Sequence, residues 1–94
     1  MIDVNKEKNL INNILYNAFN EIKKQYPVIS GTNMKNIEND FNLLLRALQY
    51  KNKIYDFACL IEYDYIETKF VIKIAYNLIN SDKPVYEGHL IIKV

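Results

Sequence analysis

Two hydrophobic periodicities divide the chain. Up to about residue 50 the apolar positions recur every three to four residues, and from about residue 54 they recur every two. From Val4 to Tyr26, the residues Val4, Leu10, Ile11, Ile14, Leu15, Ala18, Phe19, Ile22 and Tyr26 cover about half of a helical circumference. Asp3 is placed to cap this helix, and Pro27 to end it at the residue before. So wide an apolar arc predicts contact with both a sheet and a second helix. After a turn signal at Ser30-Gly31, a second helix is predicted over 33–50. Its stripe of Met34, Ile37, Phe41, Leu44, Leu45 and Leu48 is confined to about 100°.

The run 69–78 gives the clearest strand. Phe70, Ile72, Ile74, Tyr76 and Leu78 alternate with Val71, Lys73, Ala75 and Asn77, so one face is apolar and the other mixed. Strands are predicted over 54–66, 69–79 and 85–94, with a turn at Glu67-Thr68 and a loop over 80–84. In the first, Phe57, Cys59, Ile61, Tyr63 and Tyr65 share the core face. Matching apolar faces sets the register. A turn centred on Glu67-Thr68 puts Tyr65 opposite Phe70, Ile61 opposite Ile74, Cys59 opposite Tyr76 and Glu62 opposite Lys73. The second hairpin aligns Ile72 with Ile92, Ile74 with Leu90 and Tyr76 with Gly88, where a Tyr ring can cover the bare glycine backbone. The expected architecture is α+β: two N-terminal helices on one face of a three-stranded antiparallel meander (ααβββ), a two-layer sandwich and a single domain over 1–94.

Composition narrows the function classes. Half of the residues are hydrophobic and the formal charge is +1, so no single-sign field for non-specific nucleic-acid or membrane binding is expected. The first 53 residues hold eight basic and five acidic side chains and the remaining 41 hold four and six, a mild bias. A nucleic-acid-binding domain using Lys6, Lys23, Lys24, Lys35, Arg46, Lys51 and Lys53 is therefore an alternative. No apolar run is long enough for a membrane span and the N-terminus lacks a signal-peptide core, so a cytoplasmic protein is expected. The richness in Asn, Ile, Lys and Tyr, all encoded by AT-rich codons, points to a low-GC genome. Cys59 stands alone, which excludes an intramolecular disulfide and a thiolate zinc cluster, and its strand setting predicts a buried hydrophobe.

Catalytic signals are sparse. Asp56, Glu62, Asp64 and Glu67 form an acidic run, with Glu62 and Asp64 about 7 Å apart on one strand face. A solvated outer face with Glu62 paired to Lys73 is the expectation. Asp56 with Glu67-Thr68-Lys69 resembles the acidic-plus-lysine motif of the restriction-endonuclease-like nucleases. That resemblance implies Mg²⁺ held by the carboxylates and a water steadied by the lysine, and makes a minimal metal-dependent nuclease a second alternative. In those enzymes the Glu-x-Lys lies on a strand, whereas here it falls at a predicted turn. His89 has no neighbouring His or Cys, and Gly31 and Gly88 stand alone, so neither a transition-metal site nor a phosphate loop is expected. No cofactor and no catalytic residue are assigned.

Apolar residues left outside the core are more informative. Leu43, Ala47 and Tyr50 follow i, i+4, i+7 on the side of the second helix away from its stripe. Leu60, Ile66, Val71, Ala75, Ile79, Val85 and Ile91 interleave with charges such as Lys73 on the outer sheet face. Tyr16 lies on the Asn-rich face of the first helix. Apolar patches rimmed by polar groups mark partner sites, and Tyr is enriched there. The expected partner-binding residues are Tyr16, Leu43, Ala47, Tyr50, Leu60, Val71, Lys73, Ala75 and Ile91. The expected function is a small non-enzymatic protein-interaction module, of the kind phages and mobile elements encode as inhibitors or accessory proteins. It would bind a partner protein or self-associate as a homodimer through the outer sheet face or an open edge.

Overall fold

The computed structural model describes residues 4–52, 55–78 and 86–94. Along them run α1 (Val4–Gln25), α2 (Met34–Asn52), β1 (Tyr55–Asp64), β2 (Lys69–Leu78) and β3 (Tyr86–Lys93). The strands form one antiparallel sheet in the order β1-β2-β3. The α+β arrangement read from the sequence is the one observed. Asp3, Lys53, Ile54, Ile79, Val85 and the loop over 80–84 lie outside the described residues.

Each boundary has a local cause. α1 stops just before Pro27, with the Tyr26 N–H still bonded to the Ile22 carbonyl (2.9 Å). Asn33 then folds the connector onto itself. Its Oδ1 accepts the Ser30 N–H (2.8 Å) and its Nδ2 donates to the Val28 carbonyl (2.9 Å). The Ser30 carbonyl in turn accepts the Met34 N–H (3.0 Å), starting α2. Two tyrosines tie α1 down: the Tyr26 hydroxyl donates to Asp40 of α2, and that of Tyr55 to Glu7 (2.7 Å).

The first turn corrects the expected register. Tyr65–Thr68 forms a four-residue turn, so Asp64 faces Lys69, Tyr63 faces Phe70, Ile61 faces Ile72 and Cys59 faces Ile74. The Asp64 carboxylate accepts the N–H groups of Ile66 (2.9 Å) and Glu67 (3.2 Å), which sets the longer loop, and Thr68 closes it at φ 53°. Tyr65 and Ile66 are exposed in this turn instead of lying in a strand. The shift is two residues, so every side chain keeps its face. Glu62 consequently meets Lys73 diagonally, at 2.6 Å, rather than directly opposite.

The second hairpin has the expected register: Ile72 pairs with Ile92, Ile74 with Leu90, and Tyr76 with Gly88. A Cβ on Gly88 would overlap the hydroxyl end of the Tyr76 ring, 2.5 Å from its oxygen and 2.7 Å from its Cε2, so only glycine fits beneath that ring.

The core fills the space between one sheet face and the helices. Ile11, Leu15, Phe19 and Ile22 of α1 and Ile37, Phe41 and Leu45 of α2 pack on Phe57, Cys59, Ile61, Ile72, Ile74, Tyr76, Leu90 and Ile92. Leu10, part of the predicted apolar arc, is exposed. α2 lies mainly along β1, while α1 lies beside α2 and reaches β3. Two α2 side chains also bond the backbone of β1. Asn42 Oδ1 accepts the Cys59 N–H (2.9 Å), Asn42 Nδ2 donates to the Cys59 carbonyl (3.1 Å), and Glu38 accepts the Ile61 N–H (3.1 Å). These groups point away from β2, so α2 occupies the place of a fourth strand at that edge.

Candidate interaction surface

The alternation that sends the even-numbered side chains of β2 into the core sends its odd-numbered ones outward. The register arranges the outer face in transverse rows. Asp56, Asn77 and Glu87 form one row; Ala58, Ala75 and His89 the next; then Leu60, Lys73 and Ile91; then Glu62, Val71 and Lys93. Leu60 and Ile91 remain 45% and 56% exposed within strand interiors. Between them Lys73 is held aside by its ion pair with Glu62. The neighbouring Ala58–Ala75 pair has small side chains, so the two aliphatic groups stand beside a shallow floor.

Val71 departs from its expected role. It is on this face but only 7% exposed, and it belongs to no helix-side core contact. Glu62 and Lys93 are its cross-strand neighbours. Each is fixed in an ion pair, Glu62 with Lys73 and Lys93 with Glu67, both at 2.6 Å. Long charged side chains lay their methylenes over such a residue while their heads stay wet. The hydrogen bond from Glu67 raises the Lys93 pKa, and the field of the same carboxylate adds to this. Val71 thus supports the surface from beneath and offers little area to a partner.

The expected binding residues fall into three groups. Leu60, Lys73, Ala75 and Ile91 come together around Val71. Leu43 (62% exposed), Ala47 and Tyr50 (83% exposed) form a stripe on α2, in the layer on the other side of the sheet. Tyr16 is exposed on α1, two residues from Ile14 and Ala18, which line the groove between the helices, and so on the opposite side of α1. Ala58 was missed, although β alternation places it outward beside Ala75. Asn42 and Glu38 were missed as edge partners; the available signal is their position beside the α2 stripe, at the margin of the buried face.

The acidic residues do not converge. Asp56 and Glu67 are at opposite ends of the β1–β2 hairpin, about 27 Å apart along the strand. Glu62 and Asp64 are occupied by Lys73 and by the turn amides. Among the described residues no three His, Cys, Asp or Glu side chains group as metal ligands. The Cys59 thiol is pushed up to about 12 by burial first and by the Glu38 charge second, the opposite of an activated nucleophile. Three of the basic residues have partners within the chain: Lys24 pairs with Glu21 (3.0 Å), Lys35 with Glu38 (3.7 Å), and Lys23 lies over the Phe19 ring. No helix among the described residues is long and apolar enough to cross a membrane. Comparison with protein-family models, with curated proteins and with solved structures finds no match to the chain.

Proposed function

We propose that the chain is a non-enzymatic protein-interaction module that docks a partner protein on the outer face of its sheet. The observation that carries this reading is the exposure of Leu60 and Ile91, set on regular strands around the small Ala58–Ala75 floor. Aliphatic groups held on rigid strands lose little entropy when a partner covers them. The charge pattern suggests the partner's chemistry. Asp56 and Glu87 flank Asn77 at one end of the face, and among the described residues neither is in an ion pair. A fitting partner presents an aliphatic side chain to the Leu60–Ile91 gap and a lysine or arginine to the acidic end.

The test compares co-purification from the native host by the parent chain and by Leu60→Glu, Ile91→Glu and Leu43→Glu, each checked for an unchanged circular-dichroism spectrum. The parent and Leu43→Glu retain the same partner, whereas Leu60→Glu and Ile91→Glu weaken it tenfold or more, about 1.4 kcal/mol. Equal retention by all four chains overturns the proposal. Val71→Glu is unsuitable, because it buries a charge.

A further inference from the structure

The two edges of the sheet are finished differently, and the difference points to a second copy of this chain. Phe70 and Val94 exchange hydrogen bonds in both directions (3.2 and 2.9 Å), so they form a hydrogen-bonded pair. Such pairs alternate along an antiparallel ladder. The even-numbered residues of β3 therefore bond to β2, and the N–H and C=O groups of Glu87, His89, Ile91 and Lys93 point outward. β1 presents its outward Cys59 N–H and C=O to Asn42 of α2 and its Ile61 N–H to Glu38. β3 is the other end of the sheet.

Natural edges are blunted by proline, bulges, inward-pointing charges or a cover. β3 pairs with β2 without a bulge from Tyr86 to Lys93 and contains no proline. The residues it turns toward the helices between its ends are Gly88, Leu90 and Ile92, none charged. Its charges are Glu87 and Lys93, of opposite sign and equally spaced about Leu90.

We propose that β3 pairs antiparallel with β3 of a second copy about a two-fold axis at Leu90, joining two sheets into one of six strands. In this register Glu87 faces Lys93 of the other copy on both sides of the axis, and His89 faces Ile91. The outward backbone groups of the two edges then satisfy each other through about eight hydrogen bonds. Moving the axis to Ile91 sets His89 against Lys93 and leaves Glu87 without a facing residue among the described ones. Moving it to His89 sets Glu87 against Ile91. Of these three registers, only that centred on Leu90 pairs the opposite charges, which favours it over the others. Lys93 already meets Glu67 and has three N–H donors, so it can serve both carboxylates. The inference uses the backbone edge; Glu87 and Ile91 also border the outer face, so a substitution away from β3, at Leu60, is what separates the two roles.

The test is sedimentation equilibrium over a wide protein concentration range. The parent chain is a concentration-dependent dimer. Ile91→Pro removes an outward N–H that has no partner among the described residues, and gives a monomer with an unchanged circular-dichroism spectrum. Glu87→Lys weakens the dimer tenfold or more, and adding Lys93→Glu restores it to within threefold. Leu60→Glu leaves the dimer intact, which separates this edge from the outer face. A parent chain that stays monomeric at every concentration overturns the proposal. So does a dimer indifferent to Ile91→Pro, or a charge swap that fails to restore association.

Discussion

β1 and β3 are both terminal strands of one small sheet, yet among the described residues it is β1 whose outer backbone groups, at Cys59 and Ile61, are met from within the chain. The Asn42 amide takes both polar groups of Cys59, donor and acceptor, as a neighbouring strand would. Glu38, itself near Lys35, takes the next outward amide. β3 is left with a regular row of outward groups and a self-complementary pair of charges. A helix laid along a strand can thus finish a sheet without adding to it, and the edge that lacks such a helix becomes the adhesive one.

The contrast can be broken most forcefully through the anchor that holds α2 in place. Phe41 is fully buried beneath the helix that carries both edge-sealing side chains. Phe41→Ala is expected to lower the unfolding free energy by about 3–5 kcal/mol, read from urea denaturation. A loss of less than 1 kcal/mol would mean that α2 does not depend on this contact. The smaller and more specific cut is Asn42→Ala, which leaves the Cys59 backbone without its partners at a cost of about 1–3 kcal/mol. It also makes β1 resemble β3, so the variant is expected to form assemblies larger than the parent at equal concentration in light scattering. Unchanged stability and size would show that the two edges are not distinguished by Asn42.

The mildest probe is alkaline titration, which reads the environment behind the sealed edge. Burial and Glu38 raise the Cys59 thiol from its ordinary value to about 12, and burial with the Glu7 hydrogen bond raises the Tyr55 hydroxyl to about 12. Both folded-state values lie above the unfolded ones, so the folded chain holds more protons between them. Their contribution is present in full below the unfolded values and fades as pH rises through about 9 to 12. Denaturation midpoints should therefore fall across that window, and fall less in Cys59→Ala and Tyr55→Phe than in the parent. Parallel curves for parent and variants would remove these groups as the cause.

Side-chain faces were legible in the sequence because strand alternation and helical spacing are local properties. Alternation alone places Ile72, Ile74 and Tyr76 inward and Lys73 and Ala75 outward, and matching of apolar faces sets Tyr76 against Gly88. The first hairpin's register was not legible, because it depends on a side chain acting on the backbone. Asp64 captures two turn amides and lengthens the loop from two residues to four. Exposure was only half legible: Leu60 and Ile91 follow from alternation, but the shielding of Val71 depends on where Glu62 and Lys93 are held by their partners. The edge contacts of Asn42 and Glu38 were hidden for a similar reason, since a polar residue beside an apolar stripe ordinarily reads as solvated.

The seal on β1 also has a direction in time. Asn42 precedes Cys59 by only 17 positions, and Glu38 precedes Ile61 by 23. As the chain leaves the ribosome, α2 can be wound before β1 appears, so the first strand meets its cover on arrival. A nascent β1–β2 hairpin then has one edge closed and the other awaiting β3, and β3 arrives after both, bringing an edge that no described residue is seen to cover. The period in which a half-made sheet can seize a neighbouring chain is thereby shortened at one side, and postponed at the other until the fold around it is complete.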